Sequence, residues 1–343
     1  MLVTSDLTNV LPAVTSDYRS LSMSISRIGV LTSGGDAPGM NAAIRSVVRS
    51  ALYRKLEVMG IYRGYAGLIN DEIHQLDHGS VSNIINRGGT ILKTARCPEF
   101  MTGDGQRRAV DILKKNGIDG LVLIGGDGTY HGGMVLSRAF GVPCIGMPGT
   151  IDNDLNGTEA TIGSDTAVNT ALEAIDKIRD TATSMERIFV VEVMGRESGY
   201  IAMRVALGGG AEDVLIPEKK ADFNEMCHAI VEGNIRGKIS WIVVVAEGAG
   251  KAEDVAKKIT EITTLETRVV VLGHVQRGGI PTAEDRILAS RLGAAAVDLL
   301  VKGESGKAVG LISDKIHVVD FEVAIQKKTL PTEEIYELMK KLT

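Results

Sequence analysis

The segment PGTIDND, residues 148–154, places Asp152 and Asp154 two positions apart after an apolar run. This spacing lets one carboxylate accept a proton while the other holds a metal ion or its bound water. Transfer of a phosphoryl group needs a base to orient the attacking hydroxyl, and it needs cations to spread the charge on the transferring group. The segment therefore favours phosphoryl-transfer chemistry.

A second acidic loop, GGDGT at residues 125–129, sets Asp127 among glycines. A carboxylate in such a turn suits a magnesium ion that bridges phosphate oxygens; a solvated turn aspartate is the alternative. Kinases of NAD and of diacylglycerol also contain GGDGT. The motif thus indicates phosphoryl transfer more firmly than it indicates a substrate.

A third loop, TSGGDAPGMN at residues 32–41, contains Gly34 and Gly35. These glycines let backbone amides approach a ligand, and the helix predicted to follow offers its N-terminus to phosphate; tight packing alone would use the same glycines. The chain has neither a Walker lysine motif nor GxGxxG. A triphosphate must be held in another way.

Arginine is the residue type best suited to supply the cations, because its planar guanidinium matches phosphate oxygens in pairs. Any one of the candidates, taken singly, is more often a surface residue. Five arginines lie near predicted strand ends or in loops: Arg96, Arg187, Arg196, Arg268 and Arg277.

The loops follow short apolar runs that predict buried parallel strands, and helical spacing such as that of residues 166–179 lies between them. This alternation predicts an α/β fold, in which ligands bind beyond the carboxyl ends of the strands. The predicted strand-and-loop segments are residues 27–35, 120–128, 143–154, 187–195, 239–248 and 268–279.

Composition excludes several other classes. A chain of 343 residues favours two lobes with a cleft between them. The formal charge of -5 argues against a nucleic-acid partner. No apolar run approaches the roughly 20 residues needed to cross a membrane. The three cysteines, Cys97, Cys144 and Cys227, lack CxxC spacing, which argues against a disulfide scaffold or structural zinc and fits a reducing, cytoplasmic location. Residues 1–26 lack the features of a signal peptide and are predicted to be a loose extension.

Taken together, these motifs resemble the bacterial, ATP-dependent 6-phosphofructokinase family. The resemblance runs from about Arg27 onward and also includes the segments INRGGT, LKTARCPEF, RDTATS, VEVMGR, VLGHVQRGG and DRILASRLGA. It implies transfer of the γ-phosphoryl group of ATP to the 1-hydroxyl of fructose 6-phosphate, with Mg²⁺. It also implies a homotetramer with shared active sites.

The implied fold is α/β, with two Rossmann-like lobes whose mostly parallel sheets lie between helix layers and with the chain crossing between lobes. The ATP-binding lobe would comprise residues 27–163 and 276–326. The fructose 6-phosphate-binding lobe would comprise residues 164–275 and 327–343.

The resemblance also assigns roles to individual residues. Asp152 would be the base, with Thr150 and Asp154 beside it, Asp127 on the magnesium side, and Arg196 and Arg96 on the transferring group. The ATP site would be lined by Gly35, Tyr65, Arg96, Cys97, Asp127, Gly128 and Thr129. Besides Thr150, Asp152, Asp154 and Arg196, the acceptor would contact Met194, Gly195, Glu247, His274 and Arg277, with Arg187 and Arg268 reaching it from a neighbouring subunit. For His274 a buried histidine satisfied by backbone is the alternative.

Two positions bear on the phosphoryl donor. Relatives that use pyrophosphate carry Asp where Gly128 stands and Lys where Gly149 stands, so ATP is favoured and pyrophosphate is the alternative donor. An acidic side chain at the first position would repel the α-phosphate of ATP. Lipid and NAD kinases, and a non-catalytic sugar-phosphate-binding subunit, are more distant alternatives.

Regulation is predicted to be weak or absent. Relatives that respond to ADP and phosphoenolpyruvate have further basic residues where this chain has His78, Ile239 and Ser240. Fewer cations bind an anion less tightly. The residues that do resemble the effector site are Arg45, Arg49, Arg179, Glu212, Arg236 and Lys238.

Overall fold

The computed structural model describes residues 25–342. Residues 1–24, most of the predicted N-terminal extension, lie outside the described residues. Ile25 packs against the core, and Ser26 donates its backbone N–H to the carboxylate of Asp119 at 2.8 Å. The packed structure therefore includes the two residues before the first strand.

Eleven strands are present among residues 25–342, and the six predicted apolar runs are six of them. The strands are β1 (Arg27–Thr32), β2 (Glu57–Ile61), β3 (Ile73–Leu76), β4 (Gly120–Gly125), β5 (Cys144–Pro148), β6 (Ile188–Val193), β7 (Asp213–Leu215), β8 (Trp241–Ala246), β9 (Thr267–Val271), β10 (Lys307–Ile312) and β11 (Lys315–Asp320).

Helices cover both sheets. They are α1 (Met40–Tyr53), α2 (Gly64–Ile69), α3 (Gly103–Lys115), α4 (Asp127–Phe140), α5 (Ser164–Met185), α6 (Tyr200–Gly208), α7 (Phe223–Ile235), α8 (Ala252–Thr263), α9 (Ala283–Val301), α10 (Phe321–Ala324) and α11 (Thr332–Leu342), with 3-10 helices at Pro98–Met101 and Gly273–Arg277. Among the described residues, no helix is long and apolar enough to cross a membrane.

The larger sheet has the order β11-β10-β5-β4-β1-β2-β3. Its central strands are parallel, whereas β3 and β11 are antiparallel edge strands. Strands β2 and β3 lie on one side of β1, and the next strands in the chain, β4 and β5, lie on its other side. This reversal makes a crevice beyond the carboxyl ends of β1 and β4, the usual place for a ligand in such sheets.

The smaller sheet has the order β7-β8-β6-β9, and all of its pairings are parallel. Because β6 lies between β8 and β9, the loops after these three strands emerge side by side. These loops carry the segments MGR, EGAG and GHVQRGG. The predicted fold of two mostly parallel α/β lobes is confirmed.

A buried carboxylate joins α9 to α5. Asp285 is 1% exposed, and it accepts hydrogen bonds from the backbone N–H groups of Gly163 and Thr166, both at 2.8 Å. These donors lie at the N-terminus of α5, where a negative charge is favourable. The predicted crossing after residue 163 falls at this contact, and the crossing points themselves stay a prediction.

Candidate active site

The loop after β5 carries the acidic pair. Asp152 is 2% exposed, and its Oδ2 accepts a hydrogen bond from the hydroxyl of Thr150 at 3.2 Å. Its other oxygen, Oδ1, is buried and has no hydrogen-bond partner within the described chain, and the same is true of Oδ1 of Asp154. A buried acceptor without a donor is costly, so both oxygens can receive a hydrogen bond from a ligand.

Burial also changes the acidity of this pair. It raises the pKa of Asp152 above the ordinary range, while Arg277, Arg196 and the Thr150 hydroxyl act in the opposite direction. Burial, together with the charges of Asp152 and Asp127, raises the pKa of Asp154 to about 6. Asp152 is therefore a stronger base than a solvated aspartate and still has cations near it.

Arg196 reaches both acidic loops from the other sheet. Its Nε lies 3.5 Å from Oδ2 of Asp152, and its Nη1 lies 3.4 Å from Oδ1 of Asp127. The residue follows β6 and has φ 51°, a left-handed backbone that is uncommon for arginine. Half of the side chain is exposed, so the guanidinium can also contact a ligand in the cleft.

Two carboxylates hold the loop that carries Arg196. Glu247, after β8, accepts hydrogen bonds from the N–H groups of Gly195 at 3.2 Å and Arg196 at 2.6 Å. Glu218 accepts from the N–H of Gly199 at 2.8 Å. Glu247 was predicted to contact the acceptor, and the structure adds that its carboxylate anchors the MGR loop. Glu218 was missed, because nothing in its local sequence distinguishes it.

Gln276 was also missed, although it lies within the recognised segment VLGHVQRGG. It is fully buried, and its Oε1 accepts a hydrogen bond from the N–H of Met194 at 3.3 Å. Met194 is itself buried. The amide of Gln276 therefore links the 3-10 helix at Gly273–Arg277 to the end of β6, so that His274 and Arg277 lie beside the MGR loop.

Arg277 packs against the glycine-containing loop at residues 32–41. It donates from Nη1 to the carbonyl of Asp36 at 3.1 Å, and a Cβ added to Gly35 would lie 2.5 Å from the same nitrogen. Gly35 thus allows the guanidinium to cross the loop. The alternative for His274 is wrong, because this side chain is exposed rather than buried.

The GGDGT loop lies at the switch point between β1 and β4. Asp127 begins α4, and its side chain is about half exposed. Thr129 is buried, and its carbonyl accepts a hydrogen bond from the hydroxyl of Tyr65 at 2.6 Å. Gly128 is exposed, with no atom within 4 Å of a Cβ added there. The open space above Gly128 and the free helix N-terminus fit a phosphate.

Three further predicted ATP-site residues lie on two segments, Tyr65 on α2 and Arg96 and Cys97 just before the 3-10 helix at Pro98–Met101. Tyr65 is 6% exposed and stacks on Phe100 with ring centroids 4.1 Å apart. Cys97 precedes the 3-10 helix that contains Phe100 and is half-buried, with a free thiol. Arg96 is exposed and forms no hydrogen bond or ion pair with the described residues. Arg96 is thus available for a ligand, and Tyr65 offers little surface to one.

A metal cage is absent from the described residues, since no three His, Cys, Asp or Glu side chains are grouped suitably. Asp127 is the carboxylate best placed to meet a cation that also binds phosphate. Mg²⁺ usually keeps several waters and is bound by one or two carboxylates together with substrate phosphates. The donor set fits such an ion.

Arg187 and Arg268 are not brought to this cluster. Both lie at the amino ends of their strands, and both pair with Glu266; the Arg187 Nε contact is 2.9 Å long. The length of β6 puts Arg187 about 20 Å from Met194 at the opposite end. A single chain therefore lacks these two cations at its carboxylate cluster.

The predicted effector residues form two separate groups. Arg45 and Arg49 lie on α1, where Arg49 donates to the carbonyl of His78 at 3.1 Å. On the other lobe, Glu212 pairs with Lys238 at 3.3 Å and Arg179 at 3.7 Å. A cavity of about 620 Å³ lies beside Glu212, Arg236 and Lys238. This cavity is distinct from the carboxylate cluster. We assign the chemistry to the carboxylates because Asp152 and Asp154 present unpaired buried oxygens, whereas the described residues that line the cavity present none.

Known proteins are similar to this chain in sequence and in architecture. Residues 27–300 match the family Phosphofructokinase. An ATP-dependent 6-phosphofructokinase from Bacillus cytotoxicus is 56% identical over 317 residues, which are 92% of this chain and 99% of that protein.

Solved structures extend the comparison. Phosphofructokinase from Saccharomyces cerevisiae superposes with a TM-score of 0.81 at 33% identity over 92% of this chain, which spans only 46% of that longer chain. A pyrophosphate-dependent phosphofructokinase from Marinobacter aquaeolei shares the fold, with a TM-score of 0.77 at 24% identity over 90% of this chain and 86% of its own. The extent of the family match and the identity to the bacterial enzyme together show that this chain belongs to the phosphofructokinase family.

Proposed function

We propose that this chain transfers the γ-phosphoryl group of ATP to the 1-hydroxyl of fructose 6-phosphate, giving fructose 1,6-bisphosphate and ADP. The observation that carries the proposal is the buried carboxylate of Asp152, which has one unpaired oxygen and faces an arginine from the other sheet. The 56% identity to an ATP-dependent 6-phosphofructokinase supports the substrates.

Asp152 acts as the base. Its unpaired Oδ1 accepts the hydrogen bond of the sugar hydroxyl and then its proton, while Oδ2 stays bonded to Thr150. The raised pKa strengthens the base, and the nearby Arg277 and Arg196 oppose the rise by favouring the ionised carboxylate. Asp154 offers a second buried oxygen on the same turn, which can accept a hydrogen bond from the acceptor.

Arg196 stabilises the transferring group. Its guanidinium lies between Asp127 and Asp152, which is where the donor phosphate and the acceptor hydroxyl must meet. The phosphoryl group carries negative charge on its equatorial oxygens during transfer. A planar cation held at that point therefore lowers the activation barrier of the transfer. Arg96, exposed and unpaired in the chain, supplies a second cation.

We assign the two substrates to opposite sides of the Arg196 guanidinium. ATP lies in the crevice after β1 and β4, over Gly35, Asp127, Gly128 and Thr129, with Tyr65 and Cys97 behind it. Fructose 6-phosphate lies by Met194, Gly195, Glu247, His274 and Arg277. Mg²⁺ is the implied cofactor, and Asp127 is the residue that would hold it directly or through water. When bound, the ion neutralises charge on the donor phosphates.

The neighbouring subunit completes the acceptor site. Arg187 and Arg268 lie far from their own carboxylate cluster, and β9 is an exposed edge strand with Val271 and Val275 accessible beside it. An exposed edge with apolar side chains suits contact with a second copy. We propose a homotetramer in which these arginines serve another chain's site, in the cytoplasm, where thiols such as Cys97 stay reduced.

Effector control is proposed to be weak or absent at neutral pH. Glu212 already pairs with both Arg179 and Lys238, and His78, Ile239 and Ser240 stand where the regulated relatives have further basic residues. ADP and phosphoenolpyruvate, titrated against activity at low fructose 6-phosphate, are expected to change the rate by less than about twofold beyond competition at the ATP site, because few free cations remain to bind an anion. A strong response to either compound contradicts this proposal.

The test of the reaction is formation of fructose 1,6-bisphosphate by purified protein with Mg²⁺, using ATP or pyrophosphate as donor. Asp152→Asn is expected to lower kcat by about 10² to 10⁴, since a positioned base contributes that much. Asp111→Asn, on the exposed face of α3, is the matched control. Turnover with pyrophosphate would contradict the assignment of ATP as the donor. Absence of turnover with both donors would contradict the proposed reaction.

A further inference from the structure

A lysine from a distant part of the sequence reaches the turn between the two catalytic aspartates. Lys328 lies in the loop between α10 and α11, and its side chain is half-buried. Its Nζ donates to Oδ1 of Asn153 at 2.9 Å and to the carbonyl of Glu159 at 3.3 Å. This ammonium has no role in the reaction described above.

Asn153, its first partner, belongs to the turn that carries both aspartates. It stands between Asp152 and Asp154, is 1% exposed, and has a left-handed backbone with φ 48°. Its Nδ2 also donates to the carbonyl of Glu159, at 2.9 Å. Lys328, Asn153 and that carbonyl therefore form a closed set of three hydrogen bonds at the turn.

Neighbouring carboxylates favour the charged form of Lys328, whereas burial disfavours it. Burial lowers the pKa of Lys328 to about 8, the carboxylates of Asp154 and Glu159 oppose this change, and Arg204 of α6 adds to it. An ammonium buried in this way is costly unless it is hydrogen-bonded or paired. Its two hydrogen bonds and the two nearby carboxylates provide that compensation.

The loop that carries Lys328 is itself fixed at both ends. Ahead of it, the carbonyl of Gln326 accepts a hydrogen bond from Asn156 at 2.6 Å. After it, Leu330 is buried, and α11 packs against α6 of the smaller sheet's lobe. The segment that carries Lys328 to the acidic turn is therefore packed on the other lobe through the helix that follows it.

We propose that Lys328 is a positioning residue for the phosphoryl transfer: its ammonium holds the Asn153 turn, and thereby orients the Asp152 and Asp154 carboxylates toward the acceptor hydroxyl. The inference rests on the proposed function for its catalytic consequence, and on the contacts alone for the structure of the turn. Lys328 itself does not touch the substrates.

The first measurement compares Lys328→Met with Lys327→Met, whose side chain is exposed on the adjacent residue. Lys328→Met is expected to lower kcat by about 10- to 100-fold, since small misplacement of a catalytic group has effects of this size. Both KM values should stay within about threefold, because the binding residues are untouched. Lys328→Arg should recover part of the loss, and Lys327→Met should match the wild type.

The second measurement is a double-mutant cycle with Asn153→Gly, since glycine accepts the left-handed backbone. If Lys328 acts through Asn153, Lys328→Met should lower kcat by less than about threefold in the Asn153→Gly background. Equal losses in both backgrounds overturn the inference. So does an unchanged kcat in Lys328→Met, or a rise in KM with kcat preserved.

The third measurement does not depend on turnover. Amide hydrogen exchange of residues 148–160 should accelerate in Lys328→Met and not in Lys327→Met, because the turn loses one of its supports. Lys328→Gln, which keeps a donor without the charge, serves if Lys328→Met does not fold. An inactive wild type with this exchange pattern would refute the proposed reaction while supporting the positioning role, whereas unchanged exchange overturns the positioning role.

Discussion

Nε of Arg196 lies 3.5 Å from Oδ2 of Asp152, although the two residues follow strands of different sheets. This contact brings the base and a cation together at the cleft. The distance is long for an ion pair, and the Arg196 side chain is half exposed. The pair is therefore suited to receive a charged group, because a long contact to a half-exposed arginine contributes little to the stability of the free protein.

Replacing Arg196 should affect catalysis far more than folding. Arg196→Lys keeps the charge but loses the planar fork that spans Asp127 and Asp152, and we expect kcat to fall by about 10- to 100-fold. Steady-state kinetics and thermal unfolding, with Arg107→Lys on α3 as the control, will measure this. A wild-type kcat in Arg196→Lys would show that the geometry of the guanidinium is unimportant.

The raised pKa values of the acidic pair predict a pH dependence. Activity should fall as the pH drops through about 6, the pKa of Asp154, because the carboxylate of Asp154 then becomes protonated. A pH profile of kcat/KM between pH 5 and 8 checks this. In Asp154→Asn an acid limb displaced to lower pH would assign it to Asp154, and an unchanged limb would assign it elsewhere.

Asp154 should also affect stability in a defined direction. Its pKa is raised in the folded protein, so the folded state binds the proton more tightly than the unfolded chain does. Its favourable contribution is complete below about pH 4 and is lost as the pH rises through about 6. Without ligands, Asp154→Asn should therefore raise the Tm at pH 8 and lose this advantage near pH 4, as a thermal scan at both values will show. A lower Tm of Asp154→Asn at pH 8 would contradict the inference that the buried, ionised carboxylate of Asp154 destabilises the folded protein.

The donor preference can be tested at Gly128. No atom lies within 4 Å of a Cβ added there, so the fold should accept a side chain. Gly128→Asp is expected to raise the KM for ATP by at least about 10-fold through repulsion of the phosphates, whereas the neutral, similarly sized Gly128→Asn should raise it much less. Equal effects of the two variants would mean that size, not charge, selects the donor.

A mixing experiment tests whether sites are shared between subunits. Asp152→Asn and Arg268→Ala chains, each nearly inactive alone, are refolded together. If Arg268 serves a neighbouring site, random assembly should restore about a quarter of the sites. Asp152→Asn mixed with Arg196→Ala is the control, since both residues belong to one chain's cluster and no recovery is expected. Absence of recovery in the first mixture would place Arg268 outside the shared site.

The sequence alone determined the main strands and the chemistry. Continuous apolar runs that end in glycine predict parallel strands buried on both faces, and β1, β4, β5, β6, β8 and β9 were all found in this way. The predicted burial is wrong for β9, which lies at the edge of its sheet and is partly exposed throughout. Strands β2, β3, β7, β10 and β11 were not predicted; β3 and β11, for example, are half-exposed edge strands without a strong apolar pattern. Asp127, Asp152 and Asp154 were recognised because acidic residues in glycine-rich loops are chemically distinctive.

Only the tertiary structure determined how these residues are held. The hydrogen bond from the Arg196 N–H to Glu247, the buried amide of Gln276 and the contact of Lys328 with Asn153 join residues 51, 82 and 175 positions apart along the chain. No local pattern encodes such contacts, because they depend on which strand ends become neighbours in the sheets. The sequence specifies the reacting groups, and the packing of the two lobes determines where each one points.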